Sequence, residues 1–332
     1  MIRILIISNT ANRSFSYNVK ATAVRVFAGH EFISLQISNE CNYEQLLKKI
    51  SQTCHAIFVD LEKKQPINIR NKSNQGGNLF KSFLLAKEKL GKSCKLKIFP
   101  IKLNDLTVSA TWKLLVETYK DISGLNLGLV GTGNIGSKLI MTLTESGVQL
   151  KCFNRDINKN LSVVNSTIQT KPKHTIVSPN VVRCLEHTFI NTSGVLLSTS
   201  NLDMDISDFF CLVHKKFNIF VIGHSLLSQK TLFSLKEYKH INIKRVDVGK
   251  EIISYVSGTL MSKDYDVFGS KRIGDQTFCS GGFIGSGDEL IVDNHKDPKW
   301  YYGKCDGKGG IIYENDFNEL EKLSTLDNVY NV

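Results

Sequence analysis

The chain has 332 residues, 42% of them hydrophobic and 22% charged, a composition that supports a sizeable core and excludes disorder over most of the length. That is more than one hydrophobic core usually holds, so two domains are the natural expectation. The formal charge of +11 comes from lysines and arginines in short clusters such as Lys63-Lys64 and Lys215-Lys216, with no basic stretch interleaved with aromatics; this argues against a nucleic-acid partner and for a basic surface that suits a phosphate-rich ligand.

The segment Ile2–Ile7 is predicted as a strand, because the apolar run is too short for a signal peptide and turns polar at Ser8-Asn9-Thr10. Tyr17–Phe27 has helix-compatible spacing and Glu31–Ile37 reads as a second strand. Tyr43–Ser51 carries Leu46, Leu47 and Ile50 at helical spacing, and Ala56–Leu61 is a compact apolar strand. Asn68–Gly77 is polar and loop-like, Leu79–Leu90 is helical and Lys95–Ile101 is a strand. Strands alternating with helices predict a parallel sheet covered on both faces, an α/β substrate domain over residues 1–106.

Thr107–Tyr119 is apolar at Val108, Trp112, Leu115, Val116 and Tyr119 and is predicted as a connecting helix, within a linker spanning 107–123. A second α/β domain is expected over 124–255, a Rossmann doubly wound parallel sheet. Its predicted strands are Leu125–Val130, Val148–Phe153, Gly194–Thr199, Phe217–Gly223 and Ile241–Val248. Helices are expected at Ile135–Gly147, Asp205–His214 and Leu227–Lys239, with a helix, an exposed loop and a short strand between Asn158 and Pro179. Beyond Val256 glycines become dense, and Gly-Ser and Asp-Gly pairs mark turns. Within 256–332, Leu290–Val292 and Gly310–Tyr313 are short strand candidates and Asn315–Leu323 a closing helix; this region is a candidate to pack back on the first domain or to cover a cleft. Its Asp288, Asp293, His295, Asp297 and Asp306 match no metal-ligand spacing and read as turn residues, so no metal is expected.

None of the eight cysteines forms a C-x-x-C pair, so neither a zinc ribbon nor a redox dithiol is indicated. Scattered thiols suit a reducing compartment, and no apolar run is long enough to cross a membrane. A cytoplasmic protein without a membrane partner is expected, and a homodimer is left open.

The stretch Leu125-Asn-Leu-Gly-Leu-Val130-Gly131-Thr132-Gly133-Asn134-Ile135-Gly136 fits G-x-G-x-x-G between a strand and a helix. In that setting Gly131 makes the turn off the strand, Gly133 lets backbone approach a pyrophosphate, and Gly136 lets the helix pack on the sheet. The pyrophosphate would then meet free N–H groups at the helix N-terminus. The second strand runs out through Asn154-Arg155-Asp156. An acid at its end would bind the adenosine ribose and select NAD. Asn154 removes that acid and Arg155 can pair with a 2′-phosphate, which favours NADP; Asp156, two residues on, keeps NAD as the alternative. Thr199, Ser200, Asn201, His224 and Asp247 follow later strands and are candidates for the same crevice.

An α/β domain, a helix and then a Rossmann domain whose second strand ends in Asn154-Arg155 resembles the shikimate dehydrogenase, methylene-tetrahydrofolate dehydrogenase and glutamyl-tRNA reductase superfamily. Residues 124–156 carry most of the likeness; they are also similar to the D-2-hydroxyacid dehydrogenases, whose later Arg, Glu and His motifs are not found. The first resemblance implies a catalytic Lys and Asp. Lys63 and Lys64 follow the strand Ala56–Leu61, and Asn104-Asp105 precede the connecting helix, with Lys102 beside them. The Asn-Val-Thr before the family's Lys is missing, as is the Thr between Asn104 and Asp105. A Lys near a carboxylate can polarise a carbonyl and relay its proton, whereas Asn104-Asp105 can equally cap the helix. The expected function is hydride transfer between NADP and a small polar metabolite carrying a carbonyl, imine or hydroxyl, such as an amino-acid derivative in a biosynthetic step. The alternatives are a dinucleotide-sensing regulator and a lyase or hydrolase holding NAD tightly.

Overall fold

A computed structural model of the chain describes residues 2–9, 19–21, 24–27, 29–37, 42–62, 78–199, 204–223, 226–261 and 268–312. The chain divides into two compact units, Met1–Ser254 and Tyr255–Val332.

The first unit opens with β1 (Ile2–Asn9), β2 (Val19–Ala21), β3 (Arg25–Phe27), β4 (His30–Ile37), α1 (Tyr43–Ile50), β5 (Ala56–Asp60), α2 (Leu79–Leu90) and β6 (Lys97–Ile101). Strands β4, β1, β5 and β6 lie side by side and parallel. Buried on both faces, such strands read as continuous apolar runs, as in Ile4–Ile7 and Ala56–Val59. Leu47 and Ile50 of α1 and Leu79, Phe83 and Ala86 of α2 pack on Leu5, Ile7, Ile57 and Val59. Asn42 and Asn78 start the two helices, each side chain accepting an N–H three residues on.

The helix expected over Tyr17–Phe27 is a correction. Its described residues form β2 and β3, both antiparallel to β4. Val24, Val26 and Phe27 are all more than half exposed, so their spacing marked no buried helical face. β-branched and aromatic residues beside an available strand edge favoured pairing instead. The loop expected at 68–77 lies outside the described residues.

Next come α3 (Leu103–Tyr119), β7 (Asn126–Val130), α4 (Asn134–Glu145), β8 (Gln149–Phe153), α5 (Ile157–Thr170), β9 (Asn180–Val181), β10 (Gly194–Leu197), β11 (Phe217–Val221), α6 (Gln229–Ser234), β12 (Ile241–Arg245) and α7 (Gly249–Met261). These six strands form one parallel sheet in the order β9-β8-β7-β10-β11-β12. Counted from β7, that order is 3-2-1-4-5-6, the doubly wound Rossmann arrangement, with its switch point between β7 and β10. Leu115, Leu139, Ile140 and Leu143 pack on one face against Leu127, Leu129, Leu150 and Phe220. Phe189 and Phe210 pack on the other against Val195, Leu197 and Ile219.

Three local expectations need amending. The connecting helix starts at Leu103, so Asn104 and Asp105 lie inside its first turn; the N-cap is Lys102, whose side chain makes no capping bond. In place of a helix over Asp205–His214 there is a 3-10 turn at Ser207–Leu212, entered through an Asp205 carboxylate that accepts from both Ser207 N and Ser207 Oγ. The helix expected at Leu227–Lys239 is shorter, covering α6 alone, and Ser228 sets its start by accepting the Thr231 N–H.

The second unit holds β13 (Gly269–Ile273), β14 (Gln276–Ser280), β15 (Leu290–Val292), β16 (Tyr301–Cys305) and β17 (Ile311–Ile312), paired in chain order. All neighbours are antiparallel except β14 and β15. Three of its acidic residues hold turns. Glu289 accepts from Ser286 N, Ser286 Oγ and Gly287 N; Asp293 from Lys299 N and Trp300 N; Asp306 from Lys308 N and Gly310 N. His295 is buried, its Nδ1 2.8 Å from Ser280 Oγ. Among the described residues no group of three or more His, Cys, Asp or Glu side chains could hold a metal ion. Tyr313 and the helix expected at 315–323 lie outside the described residues. No helix among the described residues is long and apolar enough to cross a membrane.

Candidate dinucleotide site

The site is built where β7 ends. Gly131 has φ of +95°, and a Cβ there would stand 2.3 Å from the carbonyl oxygen of Ser198 at the end of β10. Only glycine satisfies both conditions, and its N–H donates to Phe153 O on β8 at 2.8 Å. Gly136 is equally constrained, since a Cβ would meet the Gly131 carbonyl oxygen at 1.9 Å. Gly133 differs. Its backbone is ordinary, at φ −76° and ψ −160°, and a Cβ would have nothing within 4 Å. Two glycines therefore satisfy contacts within the protein, and the middle one faces open space. Gly133 is also the N-cap of α4 and offers no side chain to the N–H groups of the first turn, which leaves them available to an anion.

A pocket opens at this point. Its walls are Val130, Gly131 and Gly133 from the β7 turn, Phe153, Asn154 and Arg155 from the end of β8, Lys159 from α5, and Ser198, Thr199 and Met204 beyond β10. It lies at the carboxyl ends of the strands flanking the switch point, the place where open α/β sheets bind ligands.

The end of β8 is organised by side-chain bonds. Asn154 donates through Nδ2 to Thr132 Oγ1 at 2.6 Å and accepts the Asp156 N–H at 3.2 Å. Thr132, buried beneath the glycine loop, thus fixes the amide at the strand end. Asp156 is the N-cap of α5, and its Oδ1 accepts the Lys159 N–H at 3.0 Å. Arg155 and Lys159 are exposed at the pocket, and neither enters an ion pair among the described residues. Lys159 was not anticipated, although a signal existed. It sits in the first turn of α5, at the positive end of the helix dipole, where a cation is disfavoured without an anion to meet.

Of the remaining candidates, Asn134 is exposed in the first turn of α4, Ile135 packs on the core, and Thr199 reaches the pocket. Asp247 lies beyond β12 and already has partners: Gly249 N at 2.9 Å and the guanidinium of Arg25, on β3, at 3.2 Å. The Gly249 N–H, then Arg25, hold its carboxyl below the usual aspartate range. Ser200, Asn201, His224, Lys63 and Lys64 lie outside the described residues.

Asp105 belongs to a cluster that sequence reading missed. Its Oδ1 accepts from the Lys138 ammonium, and its Oδ2 lies 3.8 Å from Lys102 Nζ. Lys138, on α4, also donates to Glu62 Oε1 at 2.5 Å. Glu62, just past β5, accepts the Asn104 N–H through Oε2 at 2.6 Å and so satisfies the N-terminus of α3 that Lys102 leaves uncapped. Burial works against the Lys138 ammonium, but hydrogen bonds to Asp105 and Glu62 together outweigh it and hold the pKa above the ordinary lysine value.

No protein-family model matches this sequence, and no curated protein matches it. Solved structures do. A glycerate dehydrogenase related protein from Thermoplasma acidophilum is 12% identical, with a TM-score of 0.35 over 61% of this chain and 79% of that one. The dipicolinate synthase A chain from Bacillus subtilis is 11% identical, with a TM-score of 0.35 over 79% of this chain and 97% of that one. A D-isomer specific 2-hydroxyacid dehydrogenase from Xanthobacter autotrophicus Py2, solved with NADPH and MES, is 11% identical, with a TM-score of 0.31 over 44% of this chain and 67% of that one. None of these three is a shikimate or methylene-tetrahydrofolate dehydrogenase.

Proposed function

We propose that the chain is an NADP-dependent oxidoreductase acting on a small polar metabolite that carries a carbonyl, imine or hydroxyl. The observation that carries the reading is the contrast within the glycine loop. Gly131 and Gly136 are required by protein contacts, whereas Gly133 opens onto empty space at an uncapped helix N-terminus. The dinucleotide fits this cradle: backbone N–H groups of Gly133–Gly136 would receive the pyrophosphate. When bound, the nicotinamide would donate or accept a hydride.

Two features of the β8 end favour NADP over NAD. Asp156 stands two positions beyond Asn154, and its Oδ1 is engaged at the cap of α5. Arg155 and Lys159 place two cations beside Asn154, where a 2′-phosphate would be received. The element order, an α/β half joined by α3 to a Rossmann half whose second strand ends in Asn154-Arg155, supports kinship with the shikimate and methylene-tetrahydrofolate dehydrogenases. Among the described residues Lys102, with Asp105 at 3.8 Å, is the pair best suited to handle the substrate proton. Lys63 and Lys64 stand beside it as candidates carried by the same resemblance.

The test is a titration with NADPH and NADH followed by nicotinamide fluorescence. A charge-assisted hydrogen bond contributes about 1.5–3 kcal/mol, so Arg155→Ala and Lys159→Ala should each weaken NADPH by about 10–150-fold and leave NADH nearly unchanged. NADH binding as tightly as NADPH would refute the cofactor assignment, and binding of neither would refute the function.

A further inference from the structure

We propose that Glu62, Asp105 and Lys138 form an ionic latch that couples the dinucleotide helix α4 to the first α/β half, so that closing this cluster and binding the dinucleotide reinforce one another. The inference rests on the function proposed above and adds a regulation of the same site.

Three elements meet at the Lys138 ammonium. Glu62 arrives from the end of β5 in the first sheet, Asp105 from the first turn of α3, and Lys138 from α4. Lys138 stands four residues beyond Asn134, about 6 Å along the helix from the end that would receive the pyrophosphate. A shift of α4 therefore moves the phosphate cradle and the latch together. Glu62 is pinned at the N-terminus of α3 through Asn104 N, so its carboxylate is a fixed anchor for the lysine. The side chains are partly accessible, at 38% for Lys138, 44% for Asp105 and 16% for Glu62. One ammonium between two carboxylates is a network, which holds better than a lone surface pair yet stays open to water. A second ion pair, Lys113 with Glu251 at 2.8 Å, joins α3 to α7 and shares no residue with this cluster. It provides the control.

Coupling between two events is reciprocal. If the closed latch strengthens dinucleotide binding, the dinucleotide must strengthen the latch by the same factor. Lys138→Met leaves two carboxylates facing each other, and NADPH affinity should fall on the order of tenfold, with Lys138→Arg restoring most of it. Wild-type protein should show slower amide exchange across residues 103–107 when NADPH is added, and Lys138→Met should not. Lys113→Met should leave NADPH affinity unchanged. Glu62→Gln, which keeps an acceptor for Asn104 N but lowers the charge, is the second variant should Lys138→Met fail to fold, and it too should weaken NADPH. Unchanged affinity and exchange in the Lys138 and Glu62 variants would overturn the latch while leaving the dinucleotide reading intact. Equal weakening in Lys113→Met would overturn it as well, because the effect would then belong to ion pairs on α3 in general. Wild-type protein that binds neither NADPH nor NADH would defeat both readings.

Discussion

Replacing Gly133 by Asp tests the site with effects of opposite sign. A Cβ at this position meets nothing within 4 Å, and φ of −76° with ψ of −160° suits any residue. As an N-cap, Asp is better than Gly by a few tenths of a kcal/mol, and its charge at the positive end of α4 adds about 0.3–1 kcal/mol. Together these give roughly 1 kcal/mol, or about 2–4 °C in melting temperature for a unit of this size. The same carboxylate would stand where the pyrophosphate should sit. At a separation of about 4 Å and an effective dielectric of about 20, each unit of phosphate charge costs about 4 kcal/mol, roughly a thousandfold in Kd. Thermal melting and NADPH fluorescence on one preparation read both effects. The expected result is a protein that melts slightly higher and no longer binds. A melting temperature several degrees lower, with binding intact, would show that Gly133 serves the fold and that the cradle has been misread.

Gly136→Ala should behave in the opposite way. Its Cβ would press on the Gly131 carbonyl oxygen, forcing loop and helix apart at about 1–3 kcal/mol, visible as a lower urea midpoint. Thr132→Val removes the acceptor of the Asn154 amide, so NADPH affinity should drop several-fold while stability falls by about 1 kcal/mol, measured by fluorescence titration and urea melting. In the second unit, the Ser286 side chain and backbone N–H hold the Glu289 carboxyl down at about 2. A depressed carboxylate stabilises the fold above its ordinary pKa near 4.5 and loses that contribution as pH falls towards 2. The Gly285–Leu290 turn should therefore loosen in that window, as read by hydrogen exchange, and Glu289→Gln should remove the pH dependence.

The glycine loop was legible because its motif is contiguous in sequence, between a strand and a helix, although the contact that requires Gly131 reaches Ser198 at the end of another strand. Parallel strands were legible as unbroken apolar runs, but their order was not, since periodicity reports burial and says nothing of adjacency. The misreading of Tyr17–Phe27 has the same root, for Val24, Val26 and Phe27 are apolar yet exposed on an edge. Glu62 and Lys138 went unnoticed because their significance lies in long-range pairing: Lys138 finds Asp105 across 33 positions and Glu62 across 76. Read alone, Lys138 is the polar face of an amphipathic helix. Lys159 could have been found, because a lysine in the first turn of a helix opposes the dipole.

The acids near the strand ends decide the character of the site by being occupied. Asp156 looks in sequence like a displaced ribose-binding acid, but its carboxylate accepts the Lys159 N–H. Asp247 is held by Gly249 N and Arg25, Glu62 by Asn104 N and Lys138, and Asp105 by Lys138. Asp247 meets a guanidinium, Glu62 and Asp105 share the Lys138 ammonium and Asp156 meets a backbone N–H, while Arg155 and Lys159 line the pocket without an ion pair among the described residues. Two cations therefore stand at the pocket, beside helix N–H groups that no side chain caps. Under the proposed function a pyrophosphate would meet the turn after β7, and a 2′-phosphate would bring charge to the end of β8 as well. The proposal of NADP over NAD rests on that second place, to which NAD would bring only ribose hydroxyls.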